Sequence, residues 1–312
     1  MKFTLEQVEG FIDEAVKDDL IQSSRRLIFT HCNEGIERRR FYFADTLYNF
    51  GGTGVLIKFE EKFFLLTAQH VIDAHYTSPQ NESPFFTNAL VRSQWDGLHK
   101  LLYPIRGWKI GSLINSDIPW IDDGDVALIE LGQPIPGGYP ECYIDLDSSE
   151  GVNVIREGEF YEGWILLASG YPIDENLVEW SDDGKHDYKT NLRRSTFPGF
   201  CVFNGGKPYV EFKLEHSHAD MNGVSGGVVT NVPSPGDQIG WAGMIQKAGN
   251  GNLWFYPAYL LYPAIMRYRE SPSYVIDPAA NLVSVEYQST PEAIQRRKEY
   301  NLWLKNLQKP MT

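Results

Sequence analysis

Met221-Asn222-Gly223-Val224-Ser225-Gly226-Gly227 sets one serine among three glycines. A serine hydroxyl attacks a carbonyl only when a neighbouring base takes its proton as the new bond forms. Histidine does this near pH 7, and a carboxylate behind it fixes the tautomer and stabilises the imidazolium. Both types lie upstream, in Leu66-Thr67-Ala68-Gln69-His70-Val71 and in Gly124-Asp125-Val126-Ala127-Leu128-Ile129-Glu130-Leu131. Charge developing on the attacked carbonyl needs preorganised N–H donors. Glycine at 223 lets the chain turn so that its N–H and that of Ser225 converge. Gly226 and Gly227 let the next strand pass close to neighbouring backbone. The chemistry open to this set is acyl transfer, with peptide bonds as the target.

The elements that must hold these residues are mostly short strands. β-prone runs at Arg26–Thr30, Arg40–Ala44, Gly54–Lys58 and Lys62–Thr67 suit an antiparallel meander, with a hairpin tip at Glu60-Glu61. Val126–Leu131 is a further strand. A second group follows at Gly163–Ser169, Phe200–Phe203, Tyr209–Leu214, Gly226–Thr230 and Ile239–Gln246. Between the groups, Gly132 to Pro140 holds three glycines and three prolines and reads as an interdomain connection. Residues 76–100, with Pro79, Pro84 and the turn Trp95-Asp96-Gly97, and the charged stretch 174–195 read as loops. Leu5, Val8, Phe11, Ile12, Ala15 and Val16 recur at helical spacing between Thr4 and Leu20, with Thr4 as N-cap and Gln7 as its capping-box partner. Thr290, Pro291 and the stripe Ala293, Ile294, Tyr300, Leu302, Trp303 and Leu307 predict a second helix near the end. The expected architecture is mainly β: two packed six-stranded antiparallel barrels over 25–131 and 141–265. A helical extension precedes them over 1–24, and an extension with a helix follows over 266–312.

Composition narrows the class. The 312 residues are 42% hydrophobic and 22% charged, as in soluble globular proteins, and no run approaches the length of a membrane span. A net charge of -13 disfavours nucleic acid, and protein or peptide substrates are the partners expected from acyl transfer at peptide bonds. The first residues lack the apolar run of a signal peptide. Cys32, Cys142 and Cys201 are odd in number and far apart, which fits neither a disulfide framework nor zinc spacing. A cytoplasmic location with reduced thiols is expected. His216 and His218 alternate on one predicted strand face, but no further ligand pattern completes a metal site, so no metal or other cofactor is expected. His75 is read as a loop residue.

Taken together the three segments resemble the trypsin-like (chymotrypsin-fold) serine peptidases. In that family a Gly-Ser/Thr-Gly strand and a hydrophobic strand lead into Thr-Ala-x-His, matched by Gly52-Thr53-Gly54-Val55-Leu56-Ile57 and Phe64-Leu65-Leu66-Thr67-Ala68-Gln69-His70. The aspartate opens an Asp-hydrophobic-Ala-Leu strand, matched at 125–128, and the nucleophile lies in Gly-x-Ser-Gly-Gly, matched at 223–227. Separations of 55 residues (70 to 125) and 100 residues (125 to 225) suit two elements of one barrel and one of the next. The resemblance covers residues 25–265. It implies His70 as general base, Asp125 as its orienter and Ser225 as nucleophile, with the Gly223 and Ser225 N–H groups as oxyanion hole. Should Asp125 not be the orienter, Asp122 and Asp123 come next.

Two departures matter. Val224 stands where digestive members carry the aspartate that receives a freed N-terminus, and Met221 replaces a family disulfide cysteine. Both are features of the intracellular, bacterial-type, stand-alone domains. Counting back from Ser225 puts Ala219 at the base of the specificity pocket with Asp220 beside it, which predicts an uncharged residue before the cleaved bond. The strand Trp241–Gln246 is expected to line the substrate channel, with Gln246, Lys247 and Ala248 as a pocket wall.

Gly223–Gly227 also satisfies the nucleophile elbow of α/β-hydrolases, but that fold needs a histidine after the serine. None of the seven histidines lies beyond Ser225. The alternative from another class is a catalytically silent or latent trypsin-like domain that binds or regulates a protein partner.

Overall fold

A computed structural model of the chain describes residues 5–29, 52–75, 85–88, 101–114, 122, 124–132, 141–148, 151–173, 175–176, 178–180, 188–190, 193–204, 207–211, 221–233 and 237–275. The chain enters through helix α1 (Leu5–Ala15) and continues into strand β1 (Ser24–Phe29). The hairpin of β2 (Thr53–Phe59) and β3 (Lys62–Ala68) follows. Its tip is Glu60-Glu61, both with positive φ (52° and 57°), the backbone that a two-residue hairpin requires. The Asp147 carboxylate accepts both of their N–H groups, at 2.8 and 2.9 Å.

β3 runs straight into the short helix α2 (Gln69–His75). Next come β4 (Phe85–Asn88), β5 (Leu101–Lys109), β6 (Val126–Gly132) and β7 (Ile144–Asp145). These strands pair in one sheet in the order β1-β4-β5-β6-β3-β2-β7. β1 divides its pairing, using Ser24–Arg26 against β2 and Leu27–Phe29 against β4.

The second half supplies β8 (Ile165–Gly170), the small pair β9 (Val178–Trp180) and β10 (Tyr188–Thr190), then β11 (Ser195–Asn204) and β12 (Lys207–Glu211). It continues with β13 (Val228–Asn231), β14 (Trp241–Gly249) and β15 (Asn252–Pro257). Six of these close a barrel, β11-β12-β15-β14-β13-β8. Helix α3 (Ala258–Met266) leaves the barrel, and β16 (Ser273–Val275) returns to pair with β5 of the first sheet.

Apolar runs without alternation mark strands covered on both faces. In β3, Phe63 and Leu65 point into the core of the first sheet. Phe64 and Leu66 point the other way, into a core shared with Leu167, Val228, Trp241 and Met244 of the barrel. α3 adds Leu261 and Ile265 to that shared core, so the two β units pack through it rather than across a wet cleft. A separate core fills the barrel and contains Val224, one residue before the candidate nucleophile.

Of the two expected barrels, the second is a closed six-stranded barrel, and the first half is a sheet in which β1 meets both β2 and β4. Several local expectations change with it. The supposed loop 76–100 contains β4, and the supposed loop 174–195 contains β9 and β10. His75 ends a helix instead of lying in a loop. The predicted strand at 40–44, the connection at 133–140 and the helix at 290–307 lie outside the described residues.

Candidate active site

Strand register explains why His70 and Asp125 meet. β3 and β6 are antiparallel with Ala68 opposite Val126, so Gln69, just after one strand, faces Asp125, just before the other. Gln69 N–H donates to the Asp125 carbonyl at 3.2 Å. His70 N–H donates to Asp125 Oδ1 at 2.7 Å, so the carboxylate satisfies a first-turn N–H of α2 that has no partner within the helix. The same carboxylate holds the ring, with His70 Nδ1 2.9 Å from both Oδ1 and Oδ2. The main-chain bond thus holds the carboxylate beside His70, and the Nδ1 contact orients the ring. Nε2 is left as the nitrogen that can face a substrate.

Burial differs across the pair. The Asp125 side chain is 12% exposed and that of His70 is 52% exposed. The hydrogen bond to Asp125 holds the His70 pKa above its ordinary 6.5, with partial burial opposing the shift and the Asp125 charge adding to it. Behind the carboxylate sits Tyr256, fully buried at the end of β15. Its hydroxyl donates toward Asp125 Oδ2 at 3.4 Å and toward the Asp122 carbonyl at 3.1 Å. Burial first, then the neighbouring aspartates, push the Tyr256 pKa far up, so it remains a donor at any working pH. Sequence reasoning missed Tyr256, since nothing local links it to a carboxylate 131 residues away.

Ser225 reaches the same junction from the barrel side. Its carbonyl accepts the Thr53 N–H at 3.1 Å. Gly226, at φ +89°, lies so close that a Cβ would overlap the Thr53 carbonyl oxygen and the Thr67 hydroxyl. Thr67 is three residues before His70, so the Ser225 loop rests on the strand that leads to His70. β14 clamps the other side: Gly226 N–H donates to the Ile245 carbonyl at 2.8 Å, and Ile245 N–H to the Gly227 carbonyl at 2.7 Å. Val224 is fully buried in the barrel core, which anchors the loop by apolar contact.

The loop carries donors. Gly223 takes φ +90°, and a Cβ there would stand 2.8 Å from the Tyr171 carbonyl oxygen and from Ile173. Among the described residues, the main-chain N–H groups of Gly223 and Ser225 donate to no protein acceptor. Also among the described residues, no hydrogen bond joins the Ser225 hydroxyl to the His70 ring. In unliganded hydrolytic sites that bond is commonly long and tightens when substrate binds.

Of the expected pocket wall, Gln246 is buried beside the Tyr256 hydroxyl, Lys247 is exposed with its ammonium 5.4 Å from the Trp254 ring, and Ala248 is half-buried. Ala219, Asp220, His216 and His218 lie outside the described residues. Among the described residues no three His, Cys, Asp or Glu side chains gather as a metal-holding group. Nor is any described helix long and apolar enough to cross a membrane.

No protein-family model matches the sequence, and no curated protein sequence matches it. Among solved structures the chain is similar to Deg5, at 13% sequence identity and a TM-score of 0.45, over 84% of this chain and 94% of that one.

Proposed function

We propose that the chain is a serine endopeptidase of the trypsin-like type, with His70 as general base, Asp125 as its orienter and Ser225 as nucleophile. The observation that carries this is the His70–Asp125 contact, made twice by one carboxylate at the end of the strand on which the Ser225 loop rests. In this mechanism Ser225 Oγ attacks the scissile carbonyl carbon while its proton passes to His70 Nε2. The imidazolium then protonates the leaving amine as the C–N bond breaks. Water attacks the resulting ester through the same base and returns the proton to Ser225. The free N–H groups of Gly223 and Ser225 are the oxyanion donors.

Residues 25–131 and 141–265 are the two halves of the peptidase. The ring of pairings β1-β4-β5-β6-β3-β2, returning to β1, supports the first half as the partner barrel. Val224 in the apolar core supports a site formed without a freed N-terminus. Ala219 at the pocket base, with Asp220 beside it, points to an uncharged residue before the cleaved bond, and the β14 edge with Gln246 to Ala248 to the channel wall. A cytoplasmic setting draws on Cys142 and Cys201 as free thiols, their pKa values pushed up by burial to about 11 and about 12.

The second reading, a latent domain that serves a regulatory protein partner, draws on the open Ser225–His70 hydrogen bond. Turnover of denatured protein substrates separates the two. The peptidase reading expects cleavage that Ser225→Ala and His70→Ala each reduce to near background, because triad members act as a unit. Cleavage that survives both substitutions would sink it.

A further inference from the structure

Four successive carbonyls of the nucleophile loop are tied down, and three of the four ties are main chain to main chain. The Asn222 carbonyl accepts from Ile173 N–H at 2.8 Å, the Val224 carbonyl from Gly227 N–H at 2.9 Å and the Ser225 carbonyl from Thr53 N–H at 3.1 Å. The Gly223 carbonyl alone is held by a side chain, the Thr53 hydroxyl, at 2.7 Å. In a planar trans peptide the N–H points opposite to the C=O, so fixing these carbonyls fixes where the loop's N–H groups aim. The Gly223–Val224 peptide lies between the two free donors, Gly223 N–H and Ser225 N–H. Its orientation sets their spacing.

Thr53 is fully buried and fully engaged. Its hydroxyl donates to Gly223 and accepts the Tyr171 N–H at 2.9 Å, so the hydroxyl hydrogen has one direction to point. Its carbonyl accepts the Thr67 hydroxyl at 2.7 Å, on the strand that leads to His70. One residue of the first sheet therefore bonds to the serine loop, to the end of β8 and to the histidine strand.

We propose that Thr53 is a positioning residue for the oxyanion hole, its hydroxyl setting the Gly223–Val224 peptide so that the flanking N–H groups converge on the developing oxyanion. The proposal rests on the peptidase reading above. It assigns to the Thr53 side chain a task that the loop's own backbone does not perform.

Thr53→Val keeps the shape and removes the hydroxyl. With p-nitrophenyl acetate as substrate, kcat is expected to fall about 10- to 100-fold, less than the loss of an oxyanion donor itself, with KM changed by about 3-fold or less. Thr53→Ser is expected to restore most of kcat, which a purely packing role for the methyl would not allow. Hydrogen exchange at the Tyr171 amide is expected to speed up in Thr53→Val and not in Thr53→Ser. Thr53→Ala removes the same donor without a methyl against the Gly223 carbonyl, and it carries the test should Thr53→Val not fold. Valine and alanine variants with wild-type kcat, or a serine variant as slow as valine, would overturn the proposal while leaving the peptidase intact. A folded wild type that a fluorophosphonate cannot acylate at Ser225 would overturn both.

Discussion

Asp125→Asn keeps the shape of the site and removes one charge, and the consequence follows from what each oxygen does. Oδ1 accepts the His70 main-chain N–H at 2.7 Å, Oδ2 faces the Tyr256 hydroxyl at 3.4 Å, and both lie 2.9 Å from His70 Nδ1. A main-chain N–H can only donate, so the replacement's amide oxygen must take the Oδ1 place and its NH2 group the Oδ2 place. That NH2 meets Nδ1 with a proton. The ring must then offer a lone pair at Nδ1 and carry its proton on Nε2, the nitrogen that has to be bare to receive from Ser225. Turnover is expected to fall about 10⁴-fold, equivalent to ~5 kcal/mol of transition-state stabilisation. The same change removes the bond that raises the His70 pKa, so any residual activity is expected to have its acid limb at lower pH than wild type. Stability gives an independent sign. A raised histidine pKa adds stability that is fully present below the ordinary 6.5 and fades as pH climbs through the raised value. The melting gap between wild type and variant should therefore be widest at acid pH and narrow above that range. Fluorophosphonate acylation rates and thermal melts, both taken as a function of pH, read the two effects. Equal acylation in Asp125→Asn and wild type would refute the assignment and move attention to Asp122.

Gly226→Ala combines a left-handed φ with a Cβ forced into the Thr53 carbonyl and the Thr67 hydroxyl. Strain of ~1–2 kcal/mol and overpacking of ~1–3 kcal/mol give an expected loss of about 3 kcal/mol in urea denaturation. A loss under ~1 kcal/mol would show that the loop does not rest on that strand. Tyr256→Phe removes a buried donor behind Asp125, so a stability loss of about 1 kcal/mol is expected, with kcat/KM reduced by about 10-fold or less. Unchanged values in both assays would remove Tyr256 from the site. Cleavage-site profiling on a denatured proteome is expected to return uncharged residues before the cut bond, and a basic preference there would count against the Ala219 pocket assignment.

Where the sequence was legible, local chemistry and burial agreed. The β2–β3 hairpin was readable because its apolar runs stop at Glu60-Glu61, and β6 because Val126–Leu131 is continuously apolar between turn residues. β5 hid behind Pro104 and Gly107, residues that argue against a strand. Pro104 sits where the pairing with β6 shifts register, and Gly107 lies directly under the Tyr274 ring, which leaves no room for a Cβ. α3 hid behind Pro263, which is exposed while Leu261, Ala264 and Ile265 bury the opposite side. His70, Asp125 and Ser225 could be singled out as candidates because each has its own flanking pattern. Thr53 and Tyr256 could not be given roles, because their bonds to Gly223 and Asp125 span 170 and 131 residues and leave no local mark.

The most direct test of the peptidase account is fluorophosphonate labelling of the full chain, with the adduct mapped by mass spectrometry. The expected result is one phosphonate ester on Ser225, absent in Ser225→Ala and formed far more slowly in His70→Ala. No adduct on Ser225 in the folded wild type, or one that forms equally fast without His70, would contradict it.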